Sequence, residues 1–405
     1  QGAGGELHIR GGRSNEIGYY IDGVSVANPF FTNGLAVNIS NKALEEMKVV
    51  SGAFNAEYGN AMSGIVNLQV KDGGKDYHGS ISYQSGDHQS EDSEIFTNID
   101  NFNLFTNKVL EGTINGPMPF MNNKDQFTFN LSARISDSEG YFYGIREHTI
   151  YDSADFRDDD NWYIEMNGDS SFVPMSPSNN INLMGKFTYK VNPLMKLSLQ
   201  LLHSGGKSKS YSHAFKYNPD GTSTSLSANN NYSLKLNHAL NARNFYETNI
   251  AFSNTNYMGY QFKPIDLSSS VSQEETERFG SENYVLHNFF EDSSKYWILN
   301  KHEYAPSSRI KGSPSSPTFL FGGSNRGHSY RKSNSFSFKF DFTSQVNNRH
   351  EIKTGINYRS DKLDERNFSI LYDNQEYRTP TILPENDSPS HNYYNNNAVF
   401  FSGYI

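Results

Sequence analysis

The stretch SFSFKFDF, residues 335–342, has Phe at every second position and Ser, Lys or Asp between them. A period of two predicts a β-strand with one apolar and one polar face. The same alternation recurs along the chain, and these segments predict roughly ten strands, each about ten residues long and able to cross a bilayer at a tilt. The clearest further segments are residues 127–135, 181–191, 195–201, 232–240, 246–252 and 352–358.

The connections between these strands alternate in length. The short ones are residues 117–125, 192–194, 241–244 and 345–350, and the long ones are 88–108, 139–180, 207–228, 259–332 and 361–395. Short periplasmic turns alternating with long extracellular loops are typical of an outer-membrane β-barrel. We therefore expect the Phe face of 335–342 to meet lipid and Lys339 to face the lumen. A large soluble β protein is the alternative.

The composition argues against several classes of protein and site. Only 35% of the 405 residues are hydrophobic, although the chain has 29 Phe and 26 Tyr. No apolar run approaches the roughly 18 residues that a transmembrane helix needs. The absence of cysteine excludes disulfides and thiolate metal sites. The net charge of -9 argues against nucleic acid as a partner.

Residues 1–77 differ from the rest and predict a small mixed α/β unit, followed by an all-β transmembrane antiparallel barrel over 78–405. Strands are predicted at 6–10, 17–26, 48–52 and 65–71. Asp22-Gly23 interrupts the second strand and predicts a tight turn. Ala43 to Met47 predicts a short helix, with Ser40 or Asn41 as its N-cap.

Four motifs in this unit occur in a specific order. They are Arg10-Gly11, Ile21-Asp22-Gly23, Tyr58-Gly59 and Gly64-Ile65-Val66-Asn67. Together they resemble the plug domain of TonB-dependent outer-membrane transporters, in a variant common in Bacteroidota-type proteins. The resemblance implies the C-terminal part of a plug and about 10 strands of a 22-stranded barrel. It also implies that the chain is cut at both ends and is not an enzyme.

The resemblance assigns roles to single residues. Arg10 and Glu57 are the implied plug-to-barrel contacts. The plug turn motif is carried over onto Gly11, Asp22, Gly23, Tyr58, Gly59 and Gly64. Ser51-Gly52-Ala53 stands where the family usually has Arg-Gly-Pro, so the ion pair of that arginine is not expected here.

Other candidate sites lie in loops. Phe30 and Phe31 on a plug loop, and Tyr141 and Tyr143 on a long barrel loop, are candidate substrate contacts. The run DFRDDDNWY, residues 155–163, contains Asp155, Asp158, Asp159 and Asp160, which could hold Ca²⁺. A solvated loop is the preferred interpretation of that run. The sequence contains no HExxH motif, and no catalytic constellation, cofactor or resident metal is expected.

The resulting hypothesis is an outer-membrane receptor that imports a scarce nutrient, such as a metal chelate, glycan or peptide. TonB would deliver the energy through a missing N-terminal segment. Expected partners are outer-membrane lipid, TonB, and an extracellular lid lipoprotein or other outer-membrane subunits. Two alternatives stay open: a non-transporting plugged-barrel subunit of a larger complex, and a surface-binding protein that acts through its long loops.

Overall fold

The computed structural model describes most of the chain. The described residues are 8–9, 11–13, 16–26, 30, 41–51, 61–121, 123–150, 152–261, 265–268, 284–286, 295–299, 310–311, 319–325, 327–372, 380–382 and 392–404.

The N-terminal unit is built around a four-stranded sheet. Its strands are β1 (Ile17–Ile21), β2 (Val24–Ser25), β3 (Leu44–Ser51) and β4 (Gly64–Val70), in the spatial order β2-β1-β4-β3. β1 and β4 run parallel, whereas β2 and β3 are antiparallel to their neighbours. Asn41–Ala43 forms a 3₁₀ turn ahead of β3.

The predicted helix over 43–47 is wrong. Ala43 ends the 3₁₀ turn, and Leu44 to Met47 belong to β3. β3 pairs with β4 from Leu44, opposite Val70, to Ser51, opposite Gly64. Backbone hydrogen bonds to a neighbouring strand therefore override the helix propensity of Leu-Glu-Glu-Met.

The rest of the chain is dominated by one antiparallel sheet, which we call the barrel wall. Ten long strands and the short β22 build it. Both β22 and β23 pair with β21. The described strands after β4 are, in chain order, β5 (His78–Gly86), β6 (Asn107–Pro117), β7 (Phe127–Ser138), β8 (Tyr143–Ile145), β9 (Ala154–Asp155), β10 (Tyr163–Ile164), β11 (Phe172–Pro174), β12 (Ser178–Asn192), β13 (Met195–Lys209), β14 (Thr224–Asn241), β15 (Asn244–Tyr260), β16 (Ile265–Ser268), β17 (Tyr284–Leu286), β18 (Lys295–Leu299), β19 (Ile310–Lys311), β20 (Gly327–Asn347), β21 (His350–Tyr372), β22 (Pro380–Ile382) and β23 (Asn392–Tyr404).

The predicted strand count and the alternation of short and long connections are confirmed. The wall strands follow one another as β5-β6-β7-β12-β13-β14-β15-β20-β21, and β23 pairs with β21. Two-residue turns join β12 to β13, β14 to β15 and β20 to β21 at one end of the sheet. β20 has 21 residues and β21 has 23, about twice the length that a membrane crossing needs. Each of them therefore extends beyond the membrane at the end of the long loops.

The two faces of the wall have opposite chemistry. The phenylalanines of SFSFKFDF lie in one row with apolar residues of the adjoining strands, since Phe338 pairs with Ile250 and with Tyr358. Phe336 is 41% exposed, whereas Ser335 beside it is 9% exposed and faces inward. The outward direction predicted for the phenylalanines is confirmed, and an exposed apolar face with a buried polar face is typical of a transmembrane barrel rather than of a soluble sheet.

Candidate functional site: the contact between plug and barrel wall

The N-terminal unit rests on the inner face of the β12–β13 hairpin. Met184 and Leu202 lie opposite each other on these strands and point inward, although most neighbouring inward positions are polar. Both belong to the buried apolar cluster of the plug, which contains Ile21, Val66 and Leu68 among others. The wall thus supplies two side chains to the core of the unit that it encloses.

An ion-pair network lies directly beside this apolar contact, one step along both strands. Lys186 follows Met184 on the inner face of β12, and its side chain is 9% exposed. Its Nζ lies 2.7 Å from the carbonyl oxygen of Val70, 3.0 Å from Asp22 Oδ2 and 2.9 Å from Asp72 Oδ1. We call this arrangement the Lys186 anchor. Three donor hydrogens meet three plug oxygens, so the buried ammonium is fully paired.

The two carboxylates of the anchor have further hydrogen-bond and ion-pair partners. Asp22 Oδ1 accepts the backbone N–H of Val70 at 3.1 Å, and Oδ2 accepts from Gln200 Nε2 at 3.2 Å. Asp72 Oδ2 pairs with Lys196 Nζ at 3.0 Å. Burial raises the pKa of Asp72, but the charges of Lys186 and Lys196 outweigh burial and hold that pKa below its usual value. Asp72 therefore stays ionised at neutral pH.

The turn that carries Asp22 is a type I′ turn between β1 and β2. Asp22 has φ 48° and Gly23 has φ 86°, and positive φ at both central residues defines this turn. Nothing lies within 4 Å of the position of a Cβ on Gly23. Backbone conformation, rather than space, therefore demands glycine there. The turn points the Asp22 carboxylate at the wall.

Other contacts tie the unit to further strands of the wall. Arg359 on β21 donates to Ser25 Oγ at 3.2 Å, and Lys42 donates to Ser82 Oγ on β5 at 2.8 Å. The segment that leaves β4 passes over β7, where a Cβ on Gly73 would lie 2.4 Å from the Phe129 carbonyl oxygen. Close backbone approach explains why this connection needs glycine.

The structure brings together plug and wall residues that the sequence did not single out as contacts. Arg10, Glu57, Tyr58, Gly59 and Phe31 lie outside the described residues. Asp22 was expected only as a turn residue, but it both forms the turn and contacts the wall. Lys186 and Asp72 were missed. The available signal was Met184 and Leu202, an opposed pair one step along the strands from Lys186, because both break the apolar–polar alternation of their strands.

The backbone conformation or the packing explains two further glycines of the plug turn motif. Gly11 has φ 75°, a conformation that favours glycine. Gly64 pairs with Ile17, and a Cβ there would lie 2.6 Å from Ile9 Cδ1. Both positions thus serve backbone geometry and packing in the unit.

The candidate substrate contacts on the barrel loop lie in a packed aromatic region. The Tyr141 ring lies 4.3 Å from Phe142 and 5.1 Å from His88, measured between centroids, and is 41% exposed. The Tyr143 hydroxyl donates to Glu139 Oε2 at 2.8 Å. Burial, then Glu139, raises the pKa of Tyr143 above its ordinary value. Phe30 on the plug is half-buried.

Three loop segments near these tyrosines form a compact unit, which we call the loop cap: residues 139–177, 210–223 and 319–325. Arg146 joins two of them through Asp220, at 2.5 Å, and also pairs with Asp169 at 3.1 Å. Asn218 is fully buried and donates to the Gly323 carbonyl at 2.8 Å. These contacts hold the three described segments together at the long-loop end of the barrel.

The structure does not assemble the suggested Ca²⁺ site. Asp155 pairs with Arg157 at 2.6 Å, and Asp158 accepts the backbone N–H of Asp160. Across the described ranges, no three His, Cys, Asp or Glu side chains converge as metal ligands. Local partners within the loop therefore occupy the carboxylates of Asp155 and Asp158.

Comparison with known proteins identifies the N-terminal unit. The family model of the TonB-dependent Receptor Plug Domain matches residues 1–65. The TonB-dependent transporter Oar of Myxococcus xanthus is 27% identical over 216 residues, covering 48% of this chain and 19% of the relative. Residues 1–65 are therefore a TonB-dependent receptor plug domain.

Solved structures share the overall fold. The outer membrane transporter YddB from Escherichia coli matches with a TM-score of 0.53 and 12% identity, covering 98% of this chain and 46% of that one. The copper transporter OprC matches with a TM-score of 0.52 and 11% identity, covering 97% and 44%. The chain thus spans less than half the length of these relatives.

The chain therefore has the fold of a TonB-dependent receptor plug domain followed by part of an outer-membrane β-barrel. Within the described ranges, no helix is long and apolar enough to span a membrane.

Proposed function

We propose that the whole protein is an active transporter that imports a scarce nutrient and receives its energy through TonB. The plug occupies residues 1–77 and the first part of the barrel residues 78–405. The observation that carries the proposal is the Lys186 anchor, because it attaches the plug to the wall through a few specific contacts. Such an attachment holds at rest and can be released by force.

The chemistry of the anchor suits a reversible closure. The three plug oxygens lie in the turn after β1, at the end of β4 and just beyond it, and Asp22 is hydrogen-bonded to Val70, so displacing these two adjoining segments together separates all of them from Lys186. Lys196 and Gln200 remain on the wall to pair with the plug again when it returns. No covalent step is needed, in keeping with a transporter rather than an enzyme.

Substrate would be recognised at the long-loop end, where the loop cap offers a surface with exposed aromatic rings. Phe30 and Tyr141 are the proposed contacts. A metal chelate, a glycan or a peptide would each fit such a surface, because aromatic faces bind sugars and apolar groups alike. A lid lipoprotein or another outer-membrane subunit would bind over the same surface.

The test is uptake by cells that produce the full-length protein, with and without TonB. Radiolabelled ferric chelates, oligosaccharides and peptides serve as probes, and cells lacking the protein give the background. Uptake of at least one probe that requires both the protein and TonB supports the proposal. If every probe enters at the background rate while TonB-dependent uptake by another receptor is normal, transport is excluded for these three classes.

A matched pair of variants ties uptake to the anchor. Lys186→Met removes it, whereas Lys190→Met makes the same change on the same face of β12 at an exposed position. We expect altered uptake only in Lys186→Met. Equal uptake in both variants would contradict a role for the anchor in transport.

A further inference from the structure

A groove with a volume of about 640 Å³ runs across the outward face of the barrel wall, from β5 to β14. Two neighbouring rows of outward residues border it, and the backbone between these rows forms its floor. Gly112, Ala133 and Gly185 stand among the large apolar residues of the two rows, and their small size makes the depression. We call it the lipid-face groove. Its volume is typical of a ligand site, for which the range is roughly 300–1,000 Å³.

A row of polar side chains crosses the wall beside this groove, toward the long-loop end. Each member lies four residues from the groove along its own strand, which is about 13 Å at 3.3 Å per residue. The members are adjacent on β6, β7, β12 and β13 and point outward: Lys108, Asp137, Asn179 and Lys207. We call them the charged row. The outward positions between the row and the groove are apolar or glycine, and they include Leu110, Ile135, Ile181 and Gly205.

The charged row has an excess of positive charge. Its single carboxylate, on Asp137, lies 3.5 Å from Lys108 Nζ and also accepts a hydrogen bond from Asn179. Lys207 lies opposite Asn179 and is exposed, and within the part of the chain that the structure describes it has no ion-pair partner. An ammonium in this position can donate charge-assisted hydrogen bonds to a phosphate group.

A histidine connects the groove with the charged row. His203 lines the groove, and its Nδ1 lies 2.8 Å from Asn230 Oδ1 on β14. Its Nε2 would lie 3.3 Å from a Cβ on Gly205, so this nitrogen is directed along β13 toward Lys207. The outward face therefore has polar atoms on one side of an otherwise apolar depression.

The depth of the two features matches the two parts of a lipid. Gly185 is seven residues from the short-turn end of β12 and Asn179 is thirteen, or about 18 Å and about 33 Å along the barrel axis for strands tilted by about 40°. The apolar band of such a barrel is about 25 Å tall. The groove thus lies among acyl chains, and the charged row lies at the headgroups of the outer leaflet.

We propose that the lipid-face groove and the charged row bind one phosphorylated lipid of the outer leaflet. An acyl chain lies in the groove, and the phosphate pairs with Lys207. An apolar chain fills the depression without leaving a polar group unpaired, and the phosphate balances the charge that Asp137 does not. The proposal does not depend on the proposed transport function.

Native mass spectrometry of the full-length protein in detergent tests the proposal, because it counts bound lipid at each lipid concentration. The probe is lipid A with two phosphates, and the comparison is the same lipid A without phosphates. We expect the phosphorylated form to bind about tenfold more tightly or better, the ratio that one hydrogen bond to a charged group provides.

Two variants locate the binding, each with a control. Lys207→Met removes the ammonium, and Lys124→Met makes the same change at an exposed position on a short turn. Gly112→Leu fills the groove, where a Cβ would approach no atom closer than 3.9 Å. Leu234→Phe enlarges an outward side chain that does not line the groove. We expect Lys207→Met and Gly112→Leu each to weaken binding by about tenfold, and the controls to change it by less than about twofold.

The proposal is overturned if both forms of lipid A bind equally, or if the two variants behave like their controls, because lipid then only solvates this face. It is also overturned if Lys207→Met alone weakens binding, since no chain then occupies the groove. A dimer of the wild-type protein that excludes lipid and that Gly112→Leu dissociates would make the groove an interface between copies. Because Lys207 is exposed, its replacement leaves the barrel folded, and the phosphate test is decisive even if Gly112→Leu does not fold.

Discussion

Replacing Lys186 by Met should loosen the plug without unfolding the barrel. The substitution keeps most of the apolar length of the side chain and removes the ammonium that meets Val70, Asp22 and Asp72. Removing one partner of a buried ion pair costs about 3–5 kcal/mol when the other is left bare. Here the carboxylates are not left bare, because Asp22 keeps the N–H of Val70 and Asp72 keeps Lys196.

We therefore expect a loss nearer to one charged hydrogen bond, about 2–3 kcal/mol in the free energy of plug attachment. At 1.36 kcal/mol per factor of ten, this is about a 30- to 150-fold larger population of the open plug. Native-state hydrogen exchange of the full-length protein measures that population, because the core of the plug includes Met184 and Leu202 of the wall and we expect the sheet of β1 and β4 to lose protection when it leaves them. Amides of β13 should keep their protection.

Lys190→Met is the matched control and should leave the exchange of β1 unchanged. The reasoning would be refuted if Lys186→Met lowered the protection of β1 by less than about threefold, which is within ordinary surface effects. It would also be refuted if the two variants behaved alike. A cycle with Asp22→Asn separates the direct pair from other effects, because the two changes should be non-additive.

Three further predictions concern pH, the lipid face and the plug turn. The pKa of Asp72 is depressed in the folded protein, so its contribution to plug protection should be complete above pH 3.8 and lost as the pH falls through the lower folded-state value. Protection factors measured from pH 7 downward test this prediction. A loss of protection already at pH 6 would contradict it. Phe338→Arg should cost about 2–4 kcal/mol of barrel stability in lipid vesicles, whereas Ser337→Arg, which faces the lumen, should cost much less. Urea unfolding of the two variants measures the difference. Similar unfolding midpoints would disprove the assignment of faces. Gly23→Ala should lower the stability of the plug by about 1–2 kcal/mol, because alanine disfavours positive φ. Gly86→Ala is the control, because a Cβ there also meets open space, and it should change stability by less than about 0.5 kcal/mol. Equal effects of the two substitutions would rule out backbone strain.

The architecture of the wall could be predicted from sequence because its signals are local. Alternation in SFSFKFDF depends only on neighbouring residues, and it fixes which side chains share a face. Register between strands then follows from two-residue turns, such as the one that joins Asn192 to Met195. The helix over 43–47 failed for the opposite reason, since the state of Leu44 to Met47 is decided by a partner strand some twenty residues later.

The plug contact could not be predicted in the same way, because its partners are far apart in the chain. Lys186 and Val70 are 116 residues apart. In the sequence, Lys186 is one of several lysines on inward strand positions, and Lys190 and Lys196 have the same pattern. Only contact with the plug distinguishes them. The family motif located the Asp22 turn, whereas the wall residue that binds it required the structure.

The position of the anchor explains how a strong attachment can also yield to force. Lys186 lies between a dry contact, Met184 with Leu202, and a polar cavity lined by its own partner Asp72. At 4 Å, two unit charges attract by about 4 kcal/mol at an effective dielectric constant of 20 but by only about 1 kcal/mol in water. A small displacement that admits cavity water thus removes most of the attraction that resists further displacement. The anchor is stable while the apolar pair excludes water from one side, and it fails cooperatively once water enters from the other.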